Sequence, residues 1–162
     1  MLLDLTNKFP AFKASAESPQ ILALRNITLF SQLSSRELQT ISAFLHRRTY
    51  IKGEIVFDEG DKSQAIYFII EGKALICRQG RPIDGVIAEI SAGQCFGEMA
   101  LINNSPRMAQ VIAAEDCKLD VLFREDFLKL IEMHSRIASK LTLELARMLA
   151  ERLRQTINAF VL

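Results

Sequence analysis

Cysteine, histidine and long runs of any single character are scarce in this 162-residue chain, and each scarcity removes a class of function. The three cysteines, Cys77, Cys95 and Cys117, are odd in number and far apart. They fit neither a C-x-x-C metal or redox spacing nor a disulfide framework, and they read as reduced, buried thiols of a cytosolic protein. Two histidines, His46 and His134, cannot supply the His/Glu cluster of a metal-dependent barrel enzyme, and both are expected in helical segments. Iron-sulfur and haem ligation are excluded by the same shortage. No metal ligands and no cofactor are expected.

Blocks of like charge are also missing. The 20 basic and 19 acidic side chains are intermixed and leave a net charge of +1, so neither a nucleic-acid footprint nor a polybasic membrane patch is expected. No apolar run approaches the roughly 20 residues that span a bilayer. The N-terminus MLLDLTNKFP lacks the basic region, apolar core and small-residue cleavage site of a signal peptide, so a cytoplasmic location is expected. No constellation of nucleophile, base and oxyanion donors is present, which argues against an enzyme and leaves no catalytic residue to name.

What the chain does contain is ordered. Residues 1 to 20, with Pro10 and Pro19, read as a tail, and one domain is expected over residues 21 to 162. ILALRNITLF and the capping box Ser34-Ser35-Arg36-Glu37 predict two short N-terminal helices. Between about Arg48 and Phe123 the runs EIVF, AIYFII, KALIC, VIAEI, QVIAA and KLDVLF alternate with glycine-containing turns. That spacing predicts an antiparallel β-roll or jelly-roll barrel, giving a mainly β member of the α+β class. Beyond Phe123 glycine and proline stop, and a short helix followed by a long one over residues 135 to 160 is expected. At 1.5 Å per residue the long helix extends roughly 40 Å, more than one small barrel covers.

Angular placement divides that helix. Leu141, Leu145 and Met148 share a stripe suited to the barrel, and Arg152 is the one charge that continues it. Leu149, Leu153, Ile157 and Phe160 form a second, rotated stripe with the character of a homodimer seam. Arg152 is either a snorkelling side chain or a polar lid over the barrel's contents.

The segment FGEMALINNSPRMAQV carries the chemistry. Gly97 permits close backbone approach, and a helical turn from Glu98 would offer free N–H groups to an anion. Arg107 presents a guanidinium fork that matches two phosphate oxygens, whereas Glu98 would repel a phosphate and suits a sugar hydroxyl. One acid and one base thus fit a ribose-phosphate. A bare surface salt bridge between the two is the alternative that the residues alone leave open.

KGEIVFDEGD, YFIIEGKALI and FGEMALINNSPRMAQVIA, in that order, resemble the cyclic-nucleotide-binding domain found in bacterial catabolite activators and protein kinase A regulatory subunits. The resemblance covers residues 21 to 160. It implies a phosphate-binding cassette over residues 96 to 113, with Glu98 on the ribose 2′-hydroxyl, Arg107 on the cyclic phosphate, and the backbone of Gly97, Met99 and Ala100 completing the cradle. Met108 and Ala109 would lie against the ligand, Ile76 and Ile87 against the purine, and Arg152 over the base. Met108 and Gln110 depart from the small and hydroxyl residues usual at those positions. Met108 lacks the hydroxyl of cGMP-preferring members, so the resemblance implies cAMP ahead of cGMP. Catabolite activators continue into a helix-turn-helix, and with no recognition-helix pattern before Leu162 this polypeptide is not expected to bind DNA directly. The expected function is a regulatory sensor that couples ligand to movement of the C-terminal helix, acting on a protein effector. The alternative is a ligand-free fold serving as a dimeric interaction module.

Overall fold

Period-two patterning builds two four-stranded antiparallel sheets that face each other as a β-roll, with helices against one of them. The computed structural model describes residues 17 to 161. The expected tail lies mostly outside these residues. The elements are α1 (Pro19–Arg25), a 3-10 turn (Thr28–Phe30), α2 (Ser35–Ser42), β1 (His46–Tyr50), β2 (Ile55–Phe57), β3 (Ala65–Glu71), β4 (Lys73–Cys77), β5 (Val86–Ser91), β6 (Cys95–Phe96), α3 (Met99–Ile102), β7 (Gln110–Ala113), β8 (Cys117–Phe123), α4 (Arg124–Met133) and α5 (Ser135–Val161). One sheet runs β1-β8-β3-β6 and the other β2-β7-β4-β5.

The run AIYFII is continuous rather than alternating because β3 is covered on both faces. Ile66 and Phe68 join Leu122 of β8 in a core with the helices, against Leu24, Phe30, Leu38, Ile41, Leu130 and Leu141. Ile69, one residue out of phase, joins Leu119, Phe96, Val111 and Ile90 in a second core between the sheets. The two cores share one sheet, so that sheet fixes the helices relative to the roll.

Two strands differ from the sequence expectation. His46 opens β1 rather than sitting in a helix, and its Nε2 lies 3.0 Å from Oδ2 of Asp126 in α4. HRRTY carries no apolar alternation because β1 is an exposed edge strand. It is held by backbone pairing to β8 and by Arg47, whose guanidinium grips the buried Asp120 carboxylate with two donors. The two-residue β6 was too short to register as a pattern.

Helix α2 begins as expected, with Ser34 capping and the Glu37 side chain accepting from the Ser34 backbone at 2.8 Å. Glu37 has a second partner that spacing does not predict. Nζ of Lys140 in α5 donates to both its oxygens, at 2.9 and 2.7 Å, tying the first half of α5 to α2. The Lys140 hydrogen bonds, then the Ser34 N–H, lower the Glu37 pKa from 4.5 to about 2. A depressed carboxylate pKa contributes stability that is fully present above about pH 4.5 and lost as pH falls through about 2. Urea unfolding across that window should therefore show a steeper acid loss in wild type than in Glu37→Gln, which keeps the cap but cannot titrate. Identical pH profiles would remove this carboxylate from the acid response.

Candidate functional site

The chain between α3 and β7 is laid against the loop between β2 and β3 by reciprocal backbone bonds. Arg107 N–H donates to the Asp61 carbonyl and Gly60 N–H to the Arg107 carbonyl, each at 2.8 Å. Local turn chemistry prepares both partners. Asp61 accepts from Asp58 N–H at 2.9 Å, and Asn103 accepts from Ser105 N–H at 3.2 Å ahead of Pro106. With its backbone so clasped, Arg107 turns inward and is only 6% exposed.

Its guanidinium meets no carboxylate within ion-pair distance among the described residues. Nη1 donates to the Gly97 carbonyl at 3.1 Å and Nη2 to the Ala65 carbonyl at 2.8 Å, while Nε is buried without an acceptor. Burial pushes the guanidinium below its ordinary pKa, and the neighbouring Tyr67, Glu98 and Asp61 act in the opposite direction. The alternative reading, a surface pair between Glu98 and Arg107, does not form.

Glu98 instead pairs with Arg152. The carboxylate is 8% exposed, and Nη1 of Arg152 donates to its Oε1 at 2.5 Å. Arg152 Nη2 donates to the Cys95 carbonyl at 3.0 Å. The stripe that buries Leu141 and Leu145 thus delivers Arg152 to the roll, as its angle implies. Burial, with Glu98's charge adding, pushes the adjacent Cys95 thiol up to about 12, which keeps it protonated and unreactive.

Arg107, Glu98 and Arg152 line one cavity of about 170 Å³, together with Gly97, Met99, Met108, Ala109 and Ile76. Eight of the ten residues expected at the site are therefore gathered here. Ala100 is fully buried within α3, and its N–H is already bonded to the Gly97 carbonyl at 3.2 Å. Ile87 is 55% exposed and lies away from the cavity, a correction with a geometric cause. Ile76 is paired with Ala88 and the next residue, Cys77, with Val86, so Ile87 is the extra residue of a β-bulge and stands outside the pairing that carries Ile76 to the cavity. Ile76 also faces Val111 across β7, and Val111 lines the cavity with Phe57 and Ser63, three residues that motif spacing does not single out. Gln110 is buried off the cavity wall, donating to Asp58 and accepting from the Cys77 thiol at 3.7 Å.

A family model described as the cyclic nucleotide-binding domain matches residues 47–134, more than half of the chain. The chain belongs to the cyclic nucleotide-binding domain family. Within that family, the Cyclic AMP receptor protein of Thermus thermophilus is 35% identical over 131 residues, covering 79% of this chain and 60% of the relative. The cAMP-dependent protein kinase regulatory subunit of Mycosarcoma maydis is 37% identical over 102 residues, covering 61% of this chain and 19% of the relative. The crystal structure of the T. thermophilus catabolite activator protein is similar with a TM-score of 0.72 and 34% identity, covering 82% of this chain and 61% of that one. The chain spans less than two thirds of the length of each. The antiparallel roll with its flanking helices is the fold of the cyclic nucleotide-binding domain, and among the described residues no helix is long and apolar enough to cross a membrane.

Gly97 has a testable part in this arrangement. Its φ is +76°, and an added Cβ would lie 2.6 Å from Arg107 Nη1 and 3.2 Å from the Ala65 carbonyl. Gly53, at φ +84°, faces open space and provides the control. Gly53→Ala should lose about 1–2 kcal/mol in urea unfolding from backbone strain alone. Gly97→Ala should lose measurably more, because Arg107 must also shift. Equal losses would show that Arg107 yields freely.

Proposed function

We propose that this domain is a cyclic-nucleotide sensor, taking cAMP ahead of cGMP, and that it acts by binding and not by catalysis. The observation that carries the reading is the buried Arg107 guanidinium, which among the described residues has no carboxylate partner and an Nε without an acceptor. Such a group is stable in a cavity that an anion enters, because phosphate oxygens supply the missing acceptors in charge-assisted bonds. Glu98, an acceptor on the same cavity, takes the ribose 2′-hydroxyl. Gly97 and Met99 contribute the backbone approach, with Ala100 packed behind them, while Ile76, Ala109 and Met108 provide apolar surface for the ligand. Met108 follows the arginine without a hydroxyl to offer a guanine amino group, and the relatives named above carry cyclic AMP or cAMP in their names.

The coupling follows from competition. The cavity of about 170 Å³ is smaller than the roughly 300–1,000 Å³ of ordinary small-molecule sites, and Arg152 stands in its lining on the Glu98 carboxylate. A ribose hydroxyl on Glu98 weakens that pair, so Arg152 repositions over the base and α5 shifts with it. Only this difference in affinity between two helix positions is needed. The exposed stripe of Leu153, Ile157 and Phe160 is then the output surface, met by a second copy of the chain or by a protein effector.

Calorimetric titration with cAMP and cGMP tests the reading. Wild type should bind cAMP more tightly, and Arg107→Ala should weaken it by about 1.5–3 kcal/mol, the worth of a charge-assisted contact. No heat with either nucleotide at high micromolar concentration would leave the ligand-free interaction module as the reading. Spin labels at Gln79 and Asn158 should report a changed distance distribution when cAMP is added. An unchanged distribution in protein that binds would refute the coupling.

A further inference from the structure

Arg107 keeps its place in the cavity by contact with aromatic faces. Its Cζ lies 4.0 Å from the centroid of the Phe57 ring and 5.7 Å from that of Tyr67. Phe57 is itself braced. Tyr67 and Phe96 stack with centroids 5.2 Å apart and planes 2° from parallel, and Phe57 leans on both at 46°, with centroids at 5.6 and 5.8 Å. The β2–β7 register shifts between Ile55 and Phe57, which are paired with the adjacent residues Ile112 and Val111. A bulge of this kind re-aims the side chain that follows it, here placing Phe57 on the walls of both cavities that Arg107 lines.

We infer that Phe57 is a positioning residue for the anion-binding arginine, holding the plane of the Arg107 guanidinium and leaving its charge intact. The inference rests on the proposed ligand reading. A carboxylate in the same place would orient Arg107 equally well but would neutralise it and compete with an incoming phosphate. An aromatic face attracts the cation through its quadrupole and carries no net charge to compete. The Gly97 and Ala65 carbonyls fix two nitrogens, and the ring restricts the remaining freedom, tilt about the line joining them. The orienting energy is thus supplied before the ligand arrives, which lowers the ordering cost of binding.

Titration of cAMP into Phe57→Leu, Phe57→Tyr, Arg107→Gln and the Phe57→Leu/Arg107→Gln double variant tests this. Phe57→Leu should lose about twofold to thirtyfold in affinity, the span of a cation–π contact from exposed to desolvated. Phe57→Tyr, which keeps the face, should stay within about twofold of wild type. In the Arg107→Gln background, where no cation remains to be oriented, Phe57→Leu should change affinity by less than about twofold. Phe57→Met, close in volume, is the second variant if the leucine protein fails to melt cooperatively. Unaltered affinity in the single variant overturns the inference while leaving the functional reading intact. A full loss that persists without Arg107 means that Phe57 touches the ligand directly, and it also overturns the inference. Wild type that binds neither cAMP nor cGMP overturns the functional reading and this inference with it.

Discussion

A guanidinium removed from water loses several kcal/mol of hydration, and a fold can recover it either by pairing the charge or by supplying dipoles that leave the charge in place. At Arg107 the second solution is used, and much of the surrounding structure follows from it. Carbonyls must approach two nitrogens, so Gly97 adopts a positive φ that exposes its oxygen and leaves no Cβ in the way. The backbone must be held independently of the side chain, so the loop at Gly60 and Asp61 clasps it from both directions. An aromatic face must lie alongside, so β2 bulges to present Phe57. Each device satisfies the cation only in part. What stays unsatisfied is a buried donor at the cavity, which is the property an anion site requires.

The cavity is joined to the far end of the molecule by a short chain of contacts. Glu98 follows Gly97, Arg152 binds Glu98, and Arg152 belongs to α5. The helix is held unevenly. Its first half is fastened by Leu141 and Leu145 in the core and by Lys140 on Glu37. Past Arg152 its apolar stripe is open, with Phe160 86% exposed. In the proposed sensor, the border between the fastened and open halves is where competition for Glu98 acts. A small change there swings the end of the lever, and the anchored half prevents the whole helix from leaving the roll.

What the sequence made legible divides along physical lines. Elements whose side chains sort by face were readable. The central strands, the Ser34 capping box and the core-facing stripe of Leu141 and Leu145 in α5 all match, and the angle of Arg152 anticipated its reach to the roll. Elements that present no repeating buried face were not. β1 has no buried face to imprint a period, and β6 is two residues long. Cross-strand register was the other blind spot. Ile76 and Ile87 are equally apolar, and only the β4–β5 register, paired at Ile76 and bulged at Ile87, separates the cavity residue from the exposed one. Val111 and Phe57 were hidden for the same reason, since each joins the site through strand pairing. Carboxylate partners were also beyond reach, because Glu98 lies 54 residues from Arg152 and no local spacing records that distance.

Gln110 shows how a departure from a family pattern can belong to the scaffold and not to the ligand. The bulky amide three residues past Arg107 stands, in sequence, where a hydroxyl residue is usual. In the fold it is buried off the cavity wall, with its amide donating to Asp58 and its carbonyl accepting from Cys77. Asp58 opens the loop whose Gly60 and Asp61 clasp the Arg107 backbone. The longer side chain therefore spans from β7 to that loop, a reach that a short hydroxyl does not have. The substitution ties the clasp to the sheet, and a wrong-sized residue in the motif becomes part of what holds the arginine still. The second departure, Met108, is different in kind. It is 73% exposed on the rim of the cavity, so in the proposed sensor its effect falls on what enters and not on how the site is built.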